Sequence, residues 1–183
     1  MKNYRIDDLM VPLSEYATVT VGATLHETIS ALEKAQEEFD QTKYRHRAVL
    51  VLDKTGKVAG KISQHDALKA LEPQYLKMAS SSSAAQYGFS VPFLMDLQEQ
   101  YSLLDGAMEN ICQKAAKLKV ENFMSKLTEG EFIDLGASLD QAIHLLVMGH
   151  HQSLLVKKEG KVVGVLRLTD VFAAVFHVMK TCE

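Results

Sequence analysis

The sequence predicts an α/β fold: two β-α-β-β-α repeats with a helical insert between them. Three observations carry this. Gly56-Lys57-Val58-Ala59-Gly60 and the later Asp66 recur as Gly160-Lys161-Val162-Val163-Gly164 and Asp170 at one offset (160 − 56 = 104, 170 − 66 = 104). Upstream, Gly22-Ala23-Thr24-Leu25 recurs as Gly136-Ala137-Ser138-Leu139 at another (136 − 22 = 114). Each glycine-bearing stretch follows an apolar run, Ala48 to Leu52 and Ser153 to Val156, which is the pattern of a strand, a tight turn and a second strand.

Taken in order, Ile6-Asp7-Asp8-Leu9-Met10 opens the first repeat and Val120-Glu121-Asn122-Phe123-Met124 the second. The β-rich run Ala17 to Val21 pairs with Glu131 to Leu135. Thr24-Leu25-His26-Glu27 and Ser138-Leu139-Asp140-Gln141 read as capping boxes that start helices. Those helices are expected to bury Leu25, Ile29 and Leu32, and Leu139, Ile143 and Leu146, at spacings of one helical face. The offset then falls by ten (114 − 104), so the first repeat carries ten additional residues within Lys34 to Lys43, read as a longer helix and a charged loop. The hairpin follows, and a second helix begins near Ser63 or Thr169.

The first repeat spans residues 4–72 and the second 118–181, with a linker and insert over 73–117. Pro73 ends the first unit, and Ser80 to Ser83 is a low-complexity run. From Phe93 to Lys119 an apolar stripe (Leu97, Tyr101, Leu104, Met108, Ile111, Ala115, Leu118) predicts a helix of about 40 Å at 1.5 Å per residue. A stripe of that length has to be covered, either by the repeats or by a second subunit.

The totals exclude several classes. A net charge of −3 gives no basic surplus for nucleic acid. The apolar runs fall short of the roughly 20 residues of a membrane span, and the N-terminus has no apolar signal core. Two cysteines, Cys112 and Cys182, make no disulfide framework and read as reduced cytosolic thiols, Cys112 buried in the stripe. His144, His150 and His151 lack the framework of a metal site, and no convergent acid, base and nucleophile marks an enzyme.

Two such repeats, each with a helix after Gly-Ala-[Thr/Ser]-Leu and an ending like Gly-x-x-[Ser/Thr]-x-x-Asp, resemble a tandem cystathionine-β-synthase (CBS) domain pair, or Bateman module. The resemblance implies CBS repeats packed about a pseudo-twofold axis, with clefts that bind AMP, ADP, ATP or S-adenosylmethionine as a regulatory ligand rather than a catalytic cofactor. It implies that Asp66 holds the ribose hydroxyls with Ser63 near the phosphates. A carboxylate accepts two hydroxyl donors and a helix N-terminus tolerates phosphate; the same Ser-x-x-Asp can also simply cap its helix. In the second repeat Asp170 is kept, but Arg167 stands where Ser63 does and Thr169 is displaced to the position before Asp170. Arg167 either grips phosphate or fills the cleft. Before each second strand lies a polar group, in which His46 matches His150 and Arg47 matches His151 at offset 104. Arg47 and His151 are expected to face phosphate, and Thr18, Val19, Ala48 and Ile62 to surround adenine. The implied protein is a cytoplasmic, non-catalytic CBS-pair sensor, a homodimer that acts on a regulated partner protein. The alternative is a structural dimerisation or adaptor module with degenerate clefts.

Overall fold

The computed structural model describes residues 4–39, 45–71 and 110–180. Its first repeat contains β2 (Thr18–Thr20), α2 (Leu25–Glu38), β3 (Ala48–Leu52), β4 (Val58–Ser63) and α3 (Gln64–Leu71), following α1 (Ile6–Leu9) and β1 (Val11–Pro12). After α4 (Ile111–Lys117) the second repeat contains β5 (Phe132–Asp134), α5 (Leu139–Met148), β6 (Ser153–Lys158), β7 (Lys161–Arg167) and α6 (Leu168–Lys180). The strands form two sheets, ordered β2-β3-β4 and β1-β7-β6-β5. In each repeat the first pairing is parallel and the hairpin antiparallel. Both capping boxes form: Thr24 and Ser138 accept from the backbone N–H of Glu27 and Gln141, whose side chains bond back to the caps.

The repeats exchange their leading segments. β1 pairs with β7 of the other repeat, Val11 opposite Val165. The equivalent residue of the second repeat, Ser125 (11 + 114), bridges Lys61 (165 − 104) of the first. Side chains follow. Ile6 is buried in the second repeat's core with Leu146, Leu154 and Leu166, and Val120 and Phe123 complete the first repeat's core around Leu25, Val51 and Ile62. Glycine is required where the exchanged chains cross. A Cβ on Gly164 would lie 2.6 Å from the Val11 carbonyl oxygen and 2.7 Å from Met10 Sδ. One on Gly60 would lie 2.8 Å from Met124 Sδ and 3.1 Å from the Ser125 oxygen.

Alternation along the strands sorts the side chains into two layers. Val51 and Ile62 belong to the first repeat's helix-covered core, and Leu154, Val156 and Leu166 to the second's. Their neighbours Leu50, Leu155 and Val165 pack with Val11, Tyr16 and Phe39 between the repeats.

The structure corrects four expectations. Ile29 is exposed and Thr28 is buried in its place, because α2 lies on its sheet along Leu25, Thr28 and Leu32. Opposite Ser63 stands Ala48, and opposite Arg167 stands Ser153, so β3 and β6 correspond at offset 105 (153 − 48). Nine of the ten additional residues therefore precede β3 and one lies in the first hairpin. No single helix covers Phe93 to Lys119: α4 starts at Ile111, after Asn110 in a left-handed conformation at φ 54°. Leu97, Tyr101, Leu104 and Met108 lie outside the described residues, while Ile111, Ala115 and Leu118 pack on the first repeat's core. Cys112 is exposed, on the face of α4 away from that core; Cys182 lies outside the described residues. No helix among the described residues is long and apolar enough to cross a membrane.

Candidate ligand site between the repeats

The inter-repeat faces of the strands enclose a cavity of about 460 Å³, within the roughly 300–1,000 Å³ of small-molecule sites. Ala48, Lys61 and Ser63 from the first hairpin and Ser153 and Arg167 from the second line it. The exchanged Ser125, Tyr16 before β2 and Glu131 before β5 complete the wall.

The two helix starts at the cavity differ. In the first repeat Ser63 caps α3: its Oγ accepts from the Asp66 N–H at 3.1 Å. Asp66 Oδ2 in turn accepts from the Ser63 N–H at 2.9 Å and from Ser63 Oγ at 2.6 Å. In the second repeat Arg167 donates to both oxygens of Asp170, from Nε to Oδ2 at 2.5 Å and from Nη2 to Oδ1 at 2.7 Å. Such a two-bond fork is among the stronger polar contacts in a protein. It is only 6% exposed on Arg167 and 15% on Asp170.

The charges in the wall are mostly positive. Arg45 and Arg47 line the cavity and form no ion pair with any described residue. Lys61 pairs with Glu131 at 2.5 Å across the repeats. Burial opposes the Glu131 carboxylate, but hydrogen bonds from Lys61 and the Thr128 N–H, with the Lys61 charge, outweigh it and hold its pKa below the ordinary value. Beside the cavity His46 is fully buried, with ring centroids 4.6 Å from Tyr16 and 4.3 Å from Phe39. Neither of its ring nitrogens makes a close hydrogen bond among the described residues. Burial, helped by the Arg167 charge, pushes its pKa down to about 4 against smaller opposing effects of the Glu15 carbonyl and Asp170. Burial likewise pushes the Tyr16 hydroxyl up to about 12, so both rings are neutral near pH 7.

The model of the CBS domain matches the chain twice, over residues 6–73 and 120–177. The chain belongs to the CBS-domain family. Solved CBS structures share the fold. A CBS domain-containing protein of unknown function from Bacillus anthracis superposes with a TM-score of 0.61 at 18% identity, covering 95% of this chain and 94% of its own. The CBSX2 protein in complex with AMP superposes with a TM-score of 0.59 at 19% identity, covering 96% and 98%. A CBS domain-containing protein from Kribbella flavida gives 0.60 at 11% identity, covering 94% and 98%. No curated protein matches the chain.

In this CBS pair the cavity gathers Arg47, Ala48, Ser63, Asp66, His151, Arg167 and Thr169 of the residues singled out from sequence. It does not gather Thr18, Val19, Ile62 or Asp170. Ile62 lies between Lys61 and Ser63 on the strand and so faces the helices, 2% exposed. Val19 pairs with Val51 and shares that face. Thr18 pairs with Leu50, further along β3 than Ala48. Asp170 is bound through both oxygens by Arg167. The register also changes one equivalence: at offset 105 His46 corresponds to His151 and Arg47 to Gln152, not to His150 and His151. Sequence reasoning missed Tyr16, Lys61 and Glu131. Strand alternation from Ser63 would have pointed to Lys61, but Glu131 has no ionisable counterpart in the first repeat, where Ala17 (131 − 114) stands.

Proposed function

We propose that the protein is a non-catalytic regulatory module that binds an adenosine ligand (AMP, ADP, ATP or S-adenosylmethionine) in the cavity between its repeats. The observation that carries this reading is the joint presence there of a carboxylate at a capped helix start, Asp66, and two cations without ion-pair partners among the described residues, Arg45 and Arg47. A ribose offers hydroxyl donors to the carboxylate, and a phosphate matches the guanidinium groups. The AMP complex of the similarly folded CBSX2 supports the choice of ligand. Binding tightens one packing of the two repeats, and a partner protein reads the change. The module acts in the cytoplasm as a homodimer, joined through the apolar side chains that α5 and α6 expose: Val147, Met148, Phe172, Phe176 and Met179.

A thermal-shift series with the four ligands tests the proposal. A concentration-dependent rise in Tm with at least one is expected; no rise with any of them rejects ligand sensing. The second reading is a dimerisation or adaptor module with closed clefts, favoured by the Arg167–Asp170 pair. It predicts a stable dimer whose Tm ignores all four ligands.

A further inference from the structure

We infer that one nucleotide binds per chain, in the half of the cavity belonging to the first repeat, because Arg167 latches the second half shut. The inference rests on the adenosine-ligand reading above and adds its stoichiometry and orientation. Ser63 and Arg167 are structural equivalents, each closing its hairpin opposite Ala48 or Ser153. Their effects on the following aspartate are opposite. Among the described residues, the hydrogen bonds of the Asp66 carboxylate go through Oδ2, which leaves Oδ1 to accept from a ligand hydroxyl. Both oxygens of Asp170 are taken by Arg167.

A ribose entering the second half would have to open a shielded two-bond ion pair and strand a guanidinium charge, a cost that two hydroxyl contacts do not offset. The Arg167 guanidinium carbon also lies 5.4 Å from the Phe39 ring centroid, a second contact that holds the side chain in place. The cations repeat the asymmetry. Arg45 and Arg47 of the first repeat correspond, at offset 105, to His150 and Gln152 of the second. Ribose hydroxyls on Asp66 and phosphate toward Arg45 and Arg47 therefore describe a single bound orientation.

Native mass spectrometry of the wild-type protein with ATP reads the stoichiometry without any variant. One ATP per chain at saturation is expected, and two would overturn the inference. Titration calorimetry then compares Arg167→Ser, which restores the first repeat's Ser-x-x-Asp. A second ATP per chain is expected in this variant, and it should survive Asp66→Ala in the same background. A folded Arg167→Ser protein that still binds one ATP overturns the latch. If wild-type protein binds none of the four adenosine ligands, the functional reading fails first and the stoichiometry with it.

Discussion

Lys61 of the first repeat and Glu131 of the second meet across the cavity at 2.5 Å, both side chains at most 15% exposed. This pair adds a charged contact to two units already joined by exchanged strand pairing and apolar packing. Glu131→Gln is expected to destabilise the protein by about 1–3 kcal/mol at pH 7, the scale of a charged hydrogen bond lost in a shielded place. The pH dependence has a fixed sign. The folded pKa of Glu131 is lowered, so its contribution is complete above the unfolded value of 4.5 and fades as pH falls through the folded value. Urea titrations of both proteins should therefore diverge at neutral pH and converge in acid; a constant gap down to pH 3 would contradict the assignment.

The buried His46 has the same sense for a different reason. Its charged form is disfavoured in the fold, with a pKa near 4 against 6.5 unfolded. Between those values the unfolded chain binds the proton and the folded chain does not, so stability drops as pH falls from 6.5 toward 4. In His46→Phe this part of the acid sensitivity should vanish. Melting curves at pH 7, 6 and 5 check it: the difference in Tm between variant and wild type should move in the variant's favour as pH falls.

The two crossing glycines should not be equally sensitive. Gly164→Ala presses a methyl against a carbonyl oxygen of the backbone at 2.6 Å, whereas Gly60→Ala first meets the flexible Met124 side chain. The first should cost about 1–3 kcal/mol, as overpacking does, and the second measurably less. Equal chemical-denaturation midpoints for the two variants would argue against the exchanged crossing.

Asp66→Ala should weaken the bound adenosine ligand by about 1–3 kcal/mol with the fold intact, since a charged acceptor is removed. Calorimetry that finds unchanged affinity would take Asp66 out of the site.

Light scattering tests assembly. The wild-type protein should run at twice the 20.3 kDa of one chain. Phe172→Glu, placed where the ring is 68% exposed, should shift it toward the monomer without loss of helix signal.

Much of the fold was legible because it is local and repeated. Thr24 with Glu27 and Ser138 with Gln141 cap helices through bonds three residues apart, and their chemistry can be read without the rest of the molecule. Ser63 and Asp66 were legible for the same reason. The remainder depends on relations that sequence spacing does not carry. One extra residue in the first hairpin moved His46 from a supposed match with His150 to a match with His151. Ile62 was assigned to the cleft although alternation gives that place to Lys61. Glu131 became a cavity residue only because a turn before β5 meets a strand 70 positions earlier. Arg167 could be noticed as a departure, but only the geometry shows it turned onto Asp170.

The exchange of leading segments constrains how the protein is made. Val11 pairs with Val165, 154 positions later (165 − 11), and Ile6 waits for the core around Leu154 and Leu166. At about 5–20 residues per second, a ribosome needs on the order of 10–30 s to deliver that partner. The first repeat's core stays incomplete until Val120 and Phe123 emerge, and throughout the interval Ile6 and Val11 have nowhere to dock. The first repeat's core can close once Val120 and Phe123 are out, but Ile6 and Val11 belong with strands made last, so the nascent chain carries exposed apolar surface until its last strand emerges.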